Sequence, residues 1–277
     1  MKKIFIFTLT LLVAVVAFGQ DSLAVDSVRA VSANSAAAHA NFSAAKLEDA
    51  TKAEGDSAYM KNDYTSAIHI YEALLNKGEA AEIYYNLGNS YYKTGEIAKA
   101  ILNYERALLL QPGNGDIRTN LDVARSKTID KVESVPEIFF VSWTKGLINS
   151  MSVDAWANCG IIFFILLIIS LYFFIFSHVV VLKKTGFIAG LLFLMFTILT
   201  NVFAMQQKDA LLNRDSAIVM NPSVTIRSTP NDSGTTLFIL HEGSKVTIKD
   251  NSMKEWKEIR LEDGKVGWLP ASSIEII

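Results

Sequence analysis

The chain has 277 residues, 51% of them hydrophobic, a formal net charge of −2 and a mean hydropathy of +0.27. That charge predicts no electrostatic capture of nucleic acid, and such a hydropathy requires concentrated apolar segments. A single cysteine, Cys159, excludes an intramolecular disulfide.

Residues 1–19 carry two lysines, an apolar stretch and small residues at Ala17 and Gly19. This is the pattern of a secretory signal peptide with cleavage after Gly19; an uncleaved anchor helix is the alternative reading. Residues 20–42, rich in Ala, Ser and Asp, read as a flexible leader.

From 43 to 130 the sequence repeats itself. Gly55 and Gly88, Ala67 and Ala100, and Tyr71 and Tyr104 each stand 33 residues apart, close to the roughly 34-residue period of a helical-hairpin repeat. Between Ala81 and Asn114, the residues Tyr84, Leu87, Gly88, Tyr91, Gly95, Ala100, Tyr104, Ala107 and Pro112 occupy large, small and turn positions that resemble the tetratricopeptide repeat (TPR) family. Residues 48–80 form a weaker first copy, with Ala58 in place of an aromatic and Gly78 in place of the closing proline. After Pro112, a half-copy reads as a cap, giving about two and a half repeats. Gly88 and Ala100 are the expected close-contact positions, with Ala98 more exposed. The resemblance implies a groove lined by the first helix of each repeat, on which Asp56, Tyr59, Tyr85, Asn89, Tyr92 and Lys93 are either partner contacts or an ordinary solvated face. Acidic Asp56 would repel a terminal carboxylate, so that specificity is not expected.

Residues 131–154 read as an interfacial segment, with Trp143 and Trp156 in the outer headgroup layer. Two uncharged runs follow, 155–182 and 185–207, each long enough to cross a bilayer. Lys183 and Lys184 between them mark a cytoplasmic turn by the positive-inside rule, which places the flanking segments on the outer side. Gly186 and Gly190 form a G-x-x-x-G at a helix end. Asn201 either bonds across to the first span or lies near the outer interface.

Residues 215–277 contain short Val- and Ile-rich runs between turn residues, including an Asp263-Gly264 hairpin signal, and read as a small all-β barrel. VTIRSTP, HEGSKVTI and DGKVGWLP resemble bacterial SH3-like (SH3b) domains. That resemblance implies peptide binding, cell-wall peptide included. Arg227, Trp256 and Trp268 would be the ligand face, unless the tryptophans are core. His241 beside Glu242 reads as turn surface.

The expected fold class is thus a multidomain membrane protein: all-α TPR hairpins, two transmembrane helices and an SH3-like barrel. The order of these parts resembles BatE-type proteins of the Bat aerotolerance operons. The leader and the lysine pair predict a two-pass bacterial inner-membrane protein with both domains in the periplasm, and the resemblance implies an envelope component with a role in stress tolerance. It would act as a scaffold beside von Willebrand A (VWA)-domain membrane proteins and a MoxR-type ATPase. A cell-wall peptide or ligand sensor working through the barrel is the alternative. The sequence has no G-x-S-x-G, no H-E-x-x-H and no nucleotide-binding glycine loop, and its four histidines are scattered. No enzyme, cofactor or metal site is expected.

Overall fold

A computed structural model describes residues 50–131 and 138–277, which belong to one compact unit. The expected signal peptide and leader lie outside the described residues.

Five helices come first: α1 (Lys52–Met60), α2 (Tyr64–Leu75), α3 (Ala81–Thr94), α4 (Ile97–Leu110) and α5 (Gly115–Arg125). Local chemistry sets their ends. The Thr51 N–H donates to Glu54 Oε2 at 2.9 Å before α1, and Asp63 accepts from the Ser66 N–H ahead of α2. Asn114 accepts from the Asp116 and Ile117 N–H groups before α5. These contacts satisfy N–H groups that a helix start leaves without intrahelical partners. Gly95 stops α3 at φ +86°, where a side chain would be strained.

The repeat has a physical cause. A Cβ at Gly55 would lie 2.5 Å from the Tyr71 ring, and one at Gly88 2.7 Å from the Tyr104 ring. Each glycine therefore seats a buried tyrosine from the second helix of its own hairpin, and the contact recurs after 33 residues. Ala100 is fully buried, with its carbonyl 3.3 Å from the Cβ position of Gly88. The expectation that Ala98 is more exposed is corrected: it is only 3% exposed, and α4 as a whole is covered on a second side.

That cover is the C-terminal unit. Its strands are β1 (Ser216–Val219), β2 (Ser223–Arg227), β3 (Thr236–His241), β4 (Lys245–Asp250), β5 (Trp256–Arg260), β6 (Val266–Pro270) and β7 (Ile274–Ile276). The hairpin between β5 and β6 turns at Gly264, whose φ of +90° meets the glycine requirement.

The expected closed SH3-like barrel is not formed. The seven strands make one open sheet in the order β3-β2-β6-β5-β4-β1-β7, and no pairing joins the β3 edge to the β7 edge. Two features hold it open. Only Leu240 is buried among the six residues of β3, while Leu237 and Ile239 stay exposed. Toward the other edge, Ile218 of β1 and Ile277 after β7 join the buried cluster of the helical repeats, which also holds Ile101 and Tyr104. The strand end that would have curled back is occupied by α4.

Between repeats and sheet lie α6 (Phe139–Ile148), α7 (Val153–Phe176) and α8 (Val180–Leu212). Helices α7 and α8 are long and apolar enough to cross a membrane. Only 17% and 11% of their most apolar windows are buried, so they are not core helices of the compact unit. The chain is membrane-associated through this pair. Their connection is Ser177 to Val179, and Lys183 and Lys184 sit in the first turns of α8 rather than in a loop. Gly186 is tight against the Ser170 carbonyl and Phe174 backbone, and Gly190 faces Ser170, so the G-x-x-x-G packs α8 on α7. Asn201 donates to the Thr197 carbonyl of its own helix at 2.8 Å. Trp156, expected in the headgroups, is instead buried under α6, where its indole N–H donates to the Ile148 carbonyl at 2.9 Å.

Candidate functional site

The first-helix face of the repeats is built on a polar ladder with the same period as the core. Asp56 Oδ1 accepts from the Tyr71 hydroxyl at 2.7 Å and from Asn86 Nδ2 at 3.0 Å. One repeat later, Asn89 Oδ1 accepts from the Tyr104 hydroxyl at 2.8 Å and from Asn120 Nδ2 at 2.9 Å. In each rung, a tyrosine of the second helix and an asparagine of the next repeat meet one oxygen. The rung satisfies a partly buried polar group and fixes the angle between repeats. Burial pushes the Tyr71 hydroxyl well up, with the Asp56 carboxylate adding to it. Burial also opposes ionisation of Asp56, but the bonds from Lys52, Tyr71 and Asn86 hold its carboxyl low.

Two of the six expected face residues, Asp56 and Asn89, are therefore joints between repeats. The other four line the open side. Tyr59 packs edge-on against Tyr64 with centroids 5.3 Å apart, and Tyr85 leans on Tyr104 while accepting from Asn120. Tyr92 is half-buried and Lys93 exposed. Asn86 and Asn120 were the residues missed. Their shared place one residue before Leu87 and Leu121 was the signal.

The opposite face is sealed. Glu105 of α4, 7% exposed, accepts from Arg125 of α5 and from Lys245 of β4, the latter at 2.8 Å. Arg106 reaches Glu275 and the Ile276 carbonyl. Asp130 accepts from the His241 N–H at 2.6 Å, from the Ser244 hydroxyl at 2.6 Å, and faces His241 Nδ1 at 2.9 Å. His241 is thus a docking residue rather than turn surface. Arg214, just after α8, forms a two-pronged pair with Glu79. Glu79 also accepts from Tyr84, whose hydroxyl burial and the Glu79 carboxylate push up to about 12.

These pairs carry a pH signature. Arg214 holds the Glu79 carboxyl below its ordinary range, against burial. Burial raises the Asp130 carboxyl, but Ser244 and His241 outweigh it and lower the net value. Both folded values lie below the unfolded ones, about 3.9 for Asp and 4.3 for Glu. Their stabilisation is present above the unfolded values and is lost as pH falls through the folded ones. The melting temperature of the detergent-solubilised protein should hold between pH 7 and about 5 and fall in acid. A Glu79→Gln/Asp130→Asn variant should start lower and show a shallower acid limb. An acid limb as steep as that of the wild type contradicts the assignment.

On the sheet, Arg227 and Trp268 are cross-strand partners, and Trp256, two residues from the partner of Trp268, shares their face by alternation. Arg227 is engaged with the Gly234 carbonyl at 3.0 Å. Trp256 borders a shallow cleft with Pro230, Asp232 and Met253. Among the described residues no three His, Cys, Asp or Glu side chains converge as a metal site.

The family model of the tetratricopeptide repeat matches residues 81–114, which span α3 and α4 with their flanking turns. No curated protein matches the chain. The chain thus carries a TPR hairpin together with a pair of helices long and apolar enough to cross a membrane.

Proposed function

We propose that the protein is a membrane-anchored scaffold in the bacterial envelope whose partner docks on the first-helix face through Tyr59, Tyr85, Tyr92 and Lys93. One observation carries this reading: the second-helix face is occupied by the β-sheet, and among the described residues no other element covers the tyrosine-lined face. Partly buried aromatics around a cation are side chains that concentrate interface energy. The order of repeats, apolar hairpin and C-terminal β unit supports a Bat-type setting, with VWA-domain membrane proteins and a MoxR-type ATPase as partners. The apolar leader of residues 1–19 and the Lys183-Lys184 pair support an inner-membrane hairpin with repeats and sheet on the periplasmic side.

A Tyr92→Ala/Lys93→Glu variant should keep its helical signal and cooperative unfolding, since Asp56, Asn89 and the glycine-seated tyrosines remain. Co-purification with a co-expressed Bat-type VWA-domain membrane protein should weaken at least about tenfold, the loss of a modest hot spot. Undiminished recovery by the folded variant would exclude this face.

A further inference from the structure

The first half of α6 is apolar and exposed. Phe139, Phe140 and Trp143 are 72%, 73% and 59% exposed. At about 100° per residue they share one side of the helix, with Lys145 on the opposite flank. Such a stripe has the width of one that normally faces a core.

Its position says what covers it. The other end of α6 is fastened to the hairpin: the Ile148 carbonyl accepts from Trp156 Nε1 and from Gln207 Nε2, at 2.9 and 2.6 Å. Gln207 also reaches the Met151 carbonyl at 2.7 Å. Trp156 and Phe203 pack edge-to-face at 5.1 Å, and both bury against Ile148. These contacts tie α6 to the start of α7 and the late part of α8, away from the connection at 177–179. The stripe therefore begins at the bilayer surface and continues the apolar wall of the hairpin.

We propose that α6 is an in-plane lipid anchor, with Phe139, Phe140 and Trp143 inserted among the phospholipids of the leaflet that holds the start of α7. Trp156 is not part of this anchor; with Gln207 it is the clamp that holds α6 at that depth. The inference rests on the hairpin crossing the bilayer.

The test uses the full chain with Cys159→Ala, reconstituted in vesicles of phosphatidylethanolamine and phosphatidylglycerol. Nitroxides are placed singly at Phe140→Cys, Trp143→Cys, Lys145→Cys and Leu194→Cys. Collisional relaxation by oxygen, which favours lipid, is compared with relaxation by a polar nickel chelate. Labels at 140 and 143 should match 194, relaxed by oxygen and shielded from nickel, while the label at 145 responds to nickel. Nickel access at 140 and 143 with 194 still shielded overturns the anchor and leaves the hairpin standing. Shielding of 140 and 143 from both reagents overturns it in favour of a protein cover. Nickel access at 194 removes the spanning hairpin and the anchor with it.

Discussion

Gly88→Ala is expected to destabilise the protein by about 1–3 kcal/mol, the usual cost of overpacking a filled core, while Gly78→Ala leaves the melting temperature unchanged. The two glycines differ in what a methyl group would meet. At Gly88 it would lie 2.7 Å from two carbons of the Tyr104 ring, and that ring is buried; at Gly78 nothing stands within 4 Å. Helix propensity works the other way, since alanine is favoured over glycine inside a helix by about 1 kcal/mol. Steric exclusion by the ring outweighs it, because Tyr104 is held at its tip by Asn89. Coupling supplies the check: on a Tyr104→Leu background the Gly88→Ala cost should shrink, since the ring is gone. Equal costs on both backgrounds, read from thermal unfolding in detergent, would mean that the glycine serves something other than the tyrosine.

The second large effect is expected at the seal between sheet and repeats. Arg125→Ala with Lys245→Ala leaves the Glu105 carboxylate buried without either cation. A stranded buried charge costs about 3–5 kcal/mol. Hydrogen exchange should then quicken in α4 and β4, with α1 to α3 less affected. Adding Glu105→Met should recover most of the loss, because an apolar side chain of similar size needs no partner there. If the triple variant is no better than the double one, the pairing is not what holds the sheet in place.

The helical repeats were legible because their cause is local and periodic. A glycine, a tyrosine 16 residues on, and the same pair 33 residues later require only one sequence to compare with itself. The rungs at Asp56 and Asn89 were half legible: their positions marked a face, but the asparagines that turn them into joints come from the following repeat. The docking of the sheet was not legible. Asp130 and His241 stand 111 positions apart, and neither belongs to a pattern that names the other. For the same reason the strands could be read from Val, Ile and Asp263-Gly264, while closure could not. TLFILH is apolar enough to be buried on both faces, yet Leu237 and Ile239 stay outside because the far edge is engaged with α4. Lys183 and Lys184 read as a loop from charge alone, but lysine is a good helix former and the chain turns earlier, at Ser177 to Val179.

The way the hairpin is inserted has a mechanical consequence. Both of its ends meet the same folded body: one where the Ser150 and Met151 backbone stands against Gly113, the other through Arg214 on Glu79 and β1 on α4. A domain on one tether swivels about it and transmits only tension. A domain on two fastened legs resists twisting and tilting, so a pull or torque from a bound partner reaches both helices as a couple. The repeats and sheet thus ride on the membrane as a braced bracket, and a partner gripping them would be held in orientation as well as in place.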